Sequence, residues 1–290
     1  MTTTPKEAAE RAAVLVEALP YIQRFRGRIV VVKLGGHAMA DPALSTSFAE
    51  DIVLMHSVGL RPVVVHGGGP QISALMARLG MVPEFRDGLR VTDAETVDVA
   101  RMVLVGKVNR EIVGAINVLG PLAVGVSGED AGLIVASARH PDLGFVGDVR
   151  DVNPAILERL LAEELIPVVS TIGADATGQA YNINADAVAG ALAEALDAEK
   201  IVYLTDVEGL LSDLDDPDSL ISSTDADSLQ ALLDDGTLTG GMIPKIDACI
   251  QAVRNGVSSA HLLDGRLPHV LLLELFSDAG IGTMITAEAR

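Results

Sequence analysis

The chain has 290 residues, 49% hydrophobic and 21% charged, a balance that excludes a disordered or low-complexity protein and supplies a large core. Its formal net charge of −19 repels phosphodiester backbones and argues against a nucleic-acid reader. A nucleotide phosphate is a different case, because a few cations and backbone N–H groups act locally in a low-dielectric cleft.

The single cysteine, Cys249, cannot form an internal disulfide. No apolar run reaches the roughly 18 residues of a membrane-spanning helix, and the opening segment carries acids rather than a basic-then-apolar signal pattern. The expected location is cytoplasmic.

In the first 26 residues, Ala9, Ala12, Ala13, Val16, Leu19 and Ile22 recur near helical spacing, which predicts an amphipathic helix bent at Pro20 and standing apart from the body. Residues 28–34 (RIVVVKL) form a β-branched run ending in Gly35-Gly36, and a helical stretch continues to Val58. A second run, 61–66, ends in Gly67-Gly68-Gly69-Pro70 and another helix. Two β-loop-α units in succession are the grammar of a parallel sheet covered by helices.

Residues 82–92, with Pro83 and Asp87-Gly88, predict an extended or hairpin lid beside the cleft. Further strands are predicted at 122–126, 133–138, 166–170, 201–204, 260–263 and 283–285. Helices are predicted at 93–118, 154–164, 184–196, 226–234, 244–255 and 269–276. With no internal repeat and no Pro- or Ser-rich linker, the halves should pack as lobes of one continuous sheet, divided near Ile172 and Gly173.

Both glycine loops follow a strand and open a helix, which places bare N–H groups at the carboxyl edge of a parallel sheet, where such sheets bind ligands. Neither is a Walker A or a dinucleotide fingerprint, and tight turning alone is a competing reason for glycine. Lys33 ends an apolar strand, where a cation is costly unless it meets an anion. Lys245 falls in a first helical turn behind Pro244, against the macrodipole. Phosphate would explain both positions, and a snorkelling surface lysine is the alternative for each.

Asn184 can cap the helix that follows, which leaves Asp186 either as an ordinary first-turn acid or as the anchor of two lysine ammonium groups. Arg90 sits beside the lid and is either solvated or paired with a carboxylate. The six histidines show no paired metal-ligand spacing, so no protein metal site is expected.

Taken together, VKLGG (32–36), HGGGPQI (66–72), GLRVT (88–92), NINAD (182–186), LTDV (204–207) and GGMIPK (240–245) occur in one order over about residues 27–286. This series resembles the acetylglutamate kinase branch of the amino-acid kinase family. The resemblance implies a three-layer α/β/α sandwich around an open, mainly parallel sheet. It also implies an oligomerisation helix at 1–26, an N-lobe at 27–172 for N-acetyl-L-glutamate and dimerisation, and a C-lobe at 173–290 for ATP and arginine.

On the matching positions, Lys33 and Lys245 are the phosphate-binding lysines and Asp186 organises them, while Gly35 and Gly36 contact the transferring phosphoryl group. Gly67 and Gly68 face the acceptor side chain, and Arg90 and Asn182 grip the acceptor's α-carboxylate and neighbouring polar groups. Thr205, Asp206, Gly209 and Leu210 line the adenine-ribose pocket. Four positions depart from the family pattern: Ser73 for Asn, Ser170-Thr171 for Ala-Pro, and Glu129 for Lys.

A carboxylate acceptor with pKa about 4.3 is already anionic near neutral pH, so direct in-line attack needs no general base. Mg²⁺ is expected to arrive bound to ATP. The opening helix and the 260–285 segment resemble the arginine-sensitive branch, a hexamer built as a trimer of dimers and inhibited by L-arginine. Lys200, His261, Glu274 and the Gly280 carbonyl match its effector site, with Tyr21 as a further candidate. A nitrogen-regulatory signalling partner is left undecided by the residues. The competing readings are a kinase for glutamate or carbamate, a non-catalytic amino-acid sensor, and a dinucleotide-binding oxidoreductase.

Overall fold

The computed structural model describes residues 4–36, 41–86, 88–213, 216, 219–238, 241–277 and 281–288. It opens with helices α1 (Pro5–Glu17) and α2 (Leu19–Phe25), broken just before Pro20 as predicted. The two β-loop-α units follow as β1 (Ile29–Leu34), α3 (Pro42–Ser57), β2 (Arg61–His66) and α4 (Gly69–Arg78). The lid segment forms a small antiparallel hairpin, β3 (Phe85–Arg86) and β4 (Leu89–Arg90).

The helix predicted at 93–118 is α5 (Ala94–Arg101), a π-helical turn (Met102–Val108) and α6 (Asn109–Asn117). The chain continues through β5 (Ala123–Ser127), β6 (Ile134–Ala138), β7 (Val146–Val152), α7 (Ala155–Ala162), β8 (Ile166–Ser170), β9 (Ile172–Ala174) and β10 (Ala180–Ile183). It ends with α8 (Ala185–Ala195), β11 (Lys200–Thr205), β12 (Ser223–Asp225), α9 (Ala226–Asp234), α10 (Met242–Arg254), β13 (Ser259–Asp264), α11 (Val270–Phe276) and β14 (Thr283–Thr286).

Among the described residues, eight strands form one open sheet in the order β12-β14-β13-β11-β1-β2-β8-β5, parallel except where β13 meets β14. Its central strands are buried on both faces, which is why they read as unbroken apolar runs. Alternation still decides which layer each side chain joins. Val31, Val63 and Tyr203 pack with α8 and α10, whereas Val30, Val32 and Val202 pack with α3, α6 and α11. The result is a three-layer α/β/α sandwich.

Side-chain caps set several of the helix starts. Asp41 accepts from the Ala43 N–H at 2.8 Å, Asp93 from Thr96 at 2.8 Å and Asp225 from Ser228 at 2.9 Å.

β7, β9, β10 and β12 were not among the predicted strands. β7, β10, β9 and β6 close into a small ring beside the main sheet. The expected lobe division between Ile172 and Gly173 falls inside β9, and β10 reaches back across it to pair with β7. The ring therefore hydrogen-bonds the two halves together.

Ile52 is fully buried where α3 covers the sheet, whereas Val82 is 89% exposed. Ile52→Ala should cost about 2–5 kcal/mol of unfolding free energy. Val82→Ala should stay within about 0.5 kcal/mol. Urea titrations of the two variants against the parent check the contrast.

Candidate active site

β1 carries Lys33 to the carboxyl end of the sheet, opposite Val65 of β2 and Tyr203 of β11. α8 begins just beyond β10, where Asn184 Oδ1 accepts from the Asp186 and Ala187 N–H groups at 2.8 and 3.3 Å. The Asp186 carboxylate thus stays available to other partners. Its Oδ1 lies 2.7 Å from Lys33 Nζ, and its Oδ2 accepts a hydrogen bond from Lys245 Nζ at 3.1 Å. Lys245 reaches this point from the start of α10, which begins at Met242, two residues before the predicted start.

Lys33 and Asp186 are both buried. Burial favours the neutral Asp186 carboxyl, but Lys33 and Lys245 outweigh it and hold the carboxyl below its ordinary range. Burial, helped by the charge of Lys245, lowers the Lys33 ammonium, with Asp186 opposing. Two cations around one anion leave a surplus positive charge with little water to solvate it. That is a site for an anionic ligand.

The two glycine loops meet over this triad. A Cβ on Gly36 would lie 2.8 Å from Pro70 Cδ, and Gln71 Nε2 donates to the Gly36 carbonyl at 3.1 Å, so the loops lock edge to edge. A Cβ on Gly68 would meet Leu104 Cδ2 of the π-helical turn at 2.6 Å. Close approach, rather than turning alone, requires glycine at both positions. Gly35 and Gly67 border Leu204 and Ala185 respectively.

Arg90 is buried rather than solvated. Its Nη2 donates to the Gly69 carbonyl and to Ser73 Oγ, each at 2.8 Å, and Nη1 points at Met76 Sδ. The Phe85 ring covers it, with 4.7 Å between the guanidinium carbon and the ring centroid. Ser73, noticed in the sequence only as a departure, is therefore one of the groups that hold this arginine beside the second glycine loop. Glu129, another departure, pairs with Arg101 at 2.9 Å. Asn182 lies half-buried on β10, two residues before the α8 cap.

On the other side of the triad, Thr205 ends β11, and its Oγ1 accepts from the Val207 N–H at 3.0 Å. Its carbonyl accepts from the Gly265 N–H at 2.8 Å. Asp206 is exposed next to it and adds a favourable charge toward Lys33. Gly209 has φ +150°, with Leu220 and Thr283 too close for a side chain, and the buried Leu210 donates its N–H to Thr283 Oγ1 at 2.8 Å.

Lys200, His261 and Glu274 also come together, at the opposite end of β11. Lys200 Nζ lies 3.1 Å from His261 Nε2, and His261 Nδ1 lies 2.7 Å from Glu274 Oε1. Phe25, the last residue of α2, packs its ring 5.2 Å from the Lys200 ammonium. Gly280 lies outside the described residues. Five residues of strand, about 17 Å, separate this cluster from Thr205.

The Amino acid kinase family matches residues 28–264. The chain belongs to this family. It is 58% identical over 285 residues to an acetylglutamate kinase of Saccharopolyspora erythraea, covering 96% of this chain and 93% of the relative. It is 55% identical over 278 residues to one of Nostoc punctiforme, with the same coverages of 96% and 93%. The chain is an enzyme, and membership of a kinase family implies use of ATP.

Among solved structures, N-acetylglutamate synthase from Neisseria gonorrhoeae, complexed with coenzyme A and N-acetyl-glutamate, superposes with TM-score 0.83 at 29% identity. That match covers 96% of this chain and 64% of the synthase. Carbamate kinase from Giardia lamblia bound to AMP-PNP gives TM-score 0.66 at 19% identity, covering 90% of this chain and 99% of the kinase, which establishes the shared fold.

Removing the central anion should expose the strain it relieves. Asp186→Asn leaves two inward ammonium groups without a counter-charge and should lower stability by about 3–5 kcal/mol. The parent carboxyl titrates below its ordinary value, so its stabilisation is present above about pH 4 and is lost as pH falls through the depressed folded value. Thermal melts from pH 7 to pH 3 should therefore show a shallower acid-side decline for the variant than for the parent.

Proposed function

We propose that this enzyme transfers the γ-phosphoryl group of ATP to the γ-carboxylate of N-acetyl-L-glutamate, giving N-acetyl-L-glutamyl 5-phosphate in arginine biosynthesis. The observation that carries the reading is the Lys33–Asp186–Lys245 triad, buried at Lys33 and Asp186 and half-buried at Lys245, with its surplus positive charge, beneath two interlocked glycine loops. The acetylglutamate kinases at 55–58% identity support the acceptor.

The acceptor carboxylate, with ordinary pKa about 4.3, is a nucleophile at neutral pH and needs no proton removed. The barrier is repulsion between two anions. Lys33 and Lys245, set at a fixed separation by Asp186, neutralise charge spread over the equatorial phosphoryl oxygens, and the N–H groups of Gly35 and Gly36 supply further donors. Gly67 and Gly68 face the acceptor side chain, and Arg90 and Asn182 hold its α-carboxylate end. In-line attack follows without a phosphoenzyme.

Thr205, Asp206, Gly209 and Leu210 border the adenine and ribose in this reading. Among the described residues no three His, Cys, Asp or Glu side chains group as a metal cage, so no step is assigned to a protein-held metal. Mg²⁺ enters with the nucleotide. Among those residues, too, no helix is long and apolar enough to cross a membrane, and we assign the enzyme to the cytoplasm, where its nucleotide is available.

The same proposal includes feedback by L-arginine at Lys200, His261 and Glu274, with Gly280 closing the site. Glu274 offers a carboxylate suited to a guanidinium. Arginine also binds the gonococcal synthase in a related structure at TM-score 0.82 and 29% identity. Val14, Leu15, Val16 and Leu19 are exposed on the first two helices, which supports their use in joining dimers into a hexamer. The 1–26, 27–172 and 173–290 divisions carry these assembly, acceptor and nucleotide roles respectively.

Mg-ATP turnover, trapped as hydroxamate, should appear with N-acetyl-L-glutamate and fall on adding L-arginine. Turnover only with L-glutamate or carbamate would overturn the acceptor assignment. Arg90→Ala should raise the acceptor KM at least about tenfold, the order expected for a lost charged hydrogen bond, while the ATP KM stays near that of the parent. Glu274→Gln should leave basal turnover intact and shift half-inhibition to at least about tenfold more arginine. An unchanged inhibition curve would remove Glu274 from the effector site.

A further inference from the structure

His66 closes β2 and opens the second glycine loop, yet the phosphoryl-transfer chemistry above gives it no task. It is completely buried. Its Nδ1 lies 2.9 Å from the Gly67 carbonyl oxygen. A carbonyl only accepts, so Nδ1 must carry a proton and donate it.

The other ring nitrogen is fixed by Asn109, at the start of α6 and also buried. Asn109 Nδ2 lies 3.2 Å from His66 Nε2 and donates to the Val168 carbonyl at 2.8 Å, while Arg110 donates to Asn109 Oδ1. Turning the amide over would set an oxygen against the Val168 carbonyl, so its NH₂ must face the ring and Nε2 must be a bare acceptor. With the Asn109 amide set in this way, only the neutral Nδ1–H form of His66 satisfies both of its contacts. Burial pushes the imidazole down to about 4, with the charge of Arg110 adding to the shift, so this form persists at neutral pH.

The Gly67 carbonyl and the Gly68 N–H belong to one planar trans peptide and point in opposite directions. Holding the carbonyl toward the imidazole therefore sets the direction of the Gly68 N–H, which donates to no group among the described residues. A Cβ on Gly68 would lie 2.6 Å from Leu104 Cδ2 and 3.3 Å from Val108 Cγ2, so the π-helical turn leaves this glycine no room for a side chain.

We propose that His66 is a positioning residue for the acceptor. As the neutral Nδ1–H tautomer, locked by Asn109, it pins the Gly67 carbonyl and so aims the Gly68 N–H at the acceptor carboxylate. This rests on the reading above that Gly67 and Gly68 face the acceptor.

Steady-state kinetics on three proteins test it. His66→Phe keeps a flat ring and loses the donor; kcat/KM for N-acetyl-L-glutamate should fall about tenfold, the size expected for one oriented hydrogen bond, with ATP KM little changed. His66→Asn keeps a donor near the Nδ1 position and should recover to within about threefold of the parent. A folded His66→Phe with parental acceptor kinetics, or equal losses in both variants, would overturn the proposal.

Magic-angle-spinning ¹⁵N NMR of histidine-labelled parent protein decides the point even if His66→Phe does not fold. The signal absent from His66→Asn should be that of a neutral Nδ1–H imidazole near pH 7, shifted on adding N-acetyl-L-glutamate; an Nε2–H or charged ring, or a signal indifferent to acceptor, would overturn the proposal. Loss of acetylglutamate turnover in the parent itself would instead count against the acceptor reading.

Discussion

One carboxylate shared between two lysines governs the arrangement of this molecule. Asp186 belongs to a helix that follows the strand ring, Lys33 to the central strand of the main sheet, and Lys245 to a helix about sixty residues further on. None of these charges tolerates burial alone, so the three elements must arrive together. The small residues of α8 make that possible. A side chain on Gly190 would meet the Tyr203 hydroxyl at 3.4 Å and the Ala248 carbonyl at 3.5 Å, so α8 lies close against both β11 and α10. The polar centre is thus a consequence of tight apolar packing beneath it.

The sheet then sorts function by position along its strands. The triad, the glycine loops and the segment that follows β11 all occupy the carboxyl edge, where successive strands end in loops rather than in covering helices. The Lys200–His261–Glu274 cluster lies at the other end of β11 and, through Glu274, on the helix that follows β13. A short strand hydrogen-bonded on both sides behaves as a rigid rod. Coupling between the two ends would therefore run through shifts of whole elements, such as α2 through Phe25 and α11 through Glu274.

The central strands were legible because burial on both faces leaves a run of β-branched residues with little else in it. β7 was not. Its sequence, VGDVRDV, places Asp148, Arg150 and Asp151 in a partly exposed strand of the ring, where the apolar signal is broken by side chains that reach water. β9 and β12 are three residues long, too short to show a period. The π-helical turn was also hidden, since one extra residue per turn barely alters an apolar pattern that continues into α6.

The site divides in the same way. Lys33 and Lys245 were visible because each was badly placed for its own element, and the structure brings both onto Asp186. The grip of Ser73 on Arg90 joins a helix to a hairpin seventeen residues away in sequence, and no local pattern records it. The same holds for Asn109 behind His66. The β11–β13 register sets Lys200 beside Ser259 and so brings His261 within reach, but Glu274 depends on where α11 docks. Misfit within one element can be read from sequence, whereas a contact that satisfies two elements at once requires their packing.

The overall charge sharpens this distinction. A chain of net charge −19 whose cleft is suited to anions cannot rely on its long-range field, which salt screens within about 10 Å. Recognition has to come from groups in direct contact, held where water is scarce. A buried lysine and a half-buried one sharing a single carboxylate meet that requirement, because their surplus charge is short of solvent until an anion arrives. The acidic exterior and the cationic centre therefore serve different distances: the first favours solubility, and the second acts only on a ligand already between the loops.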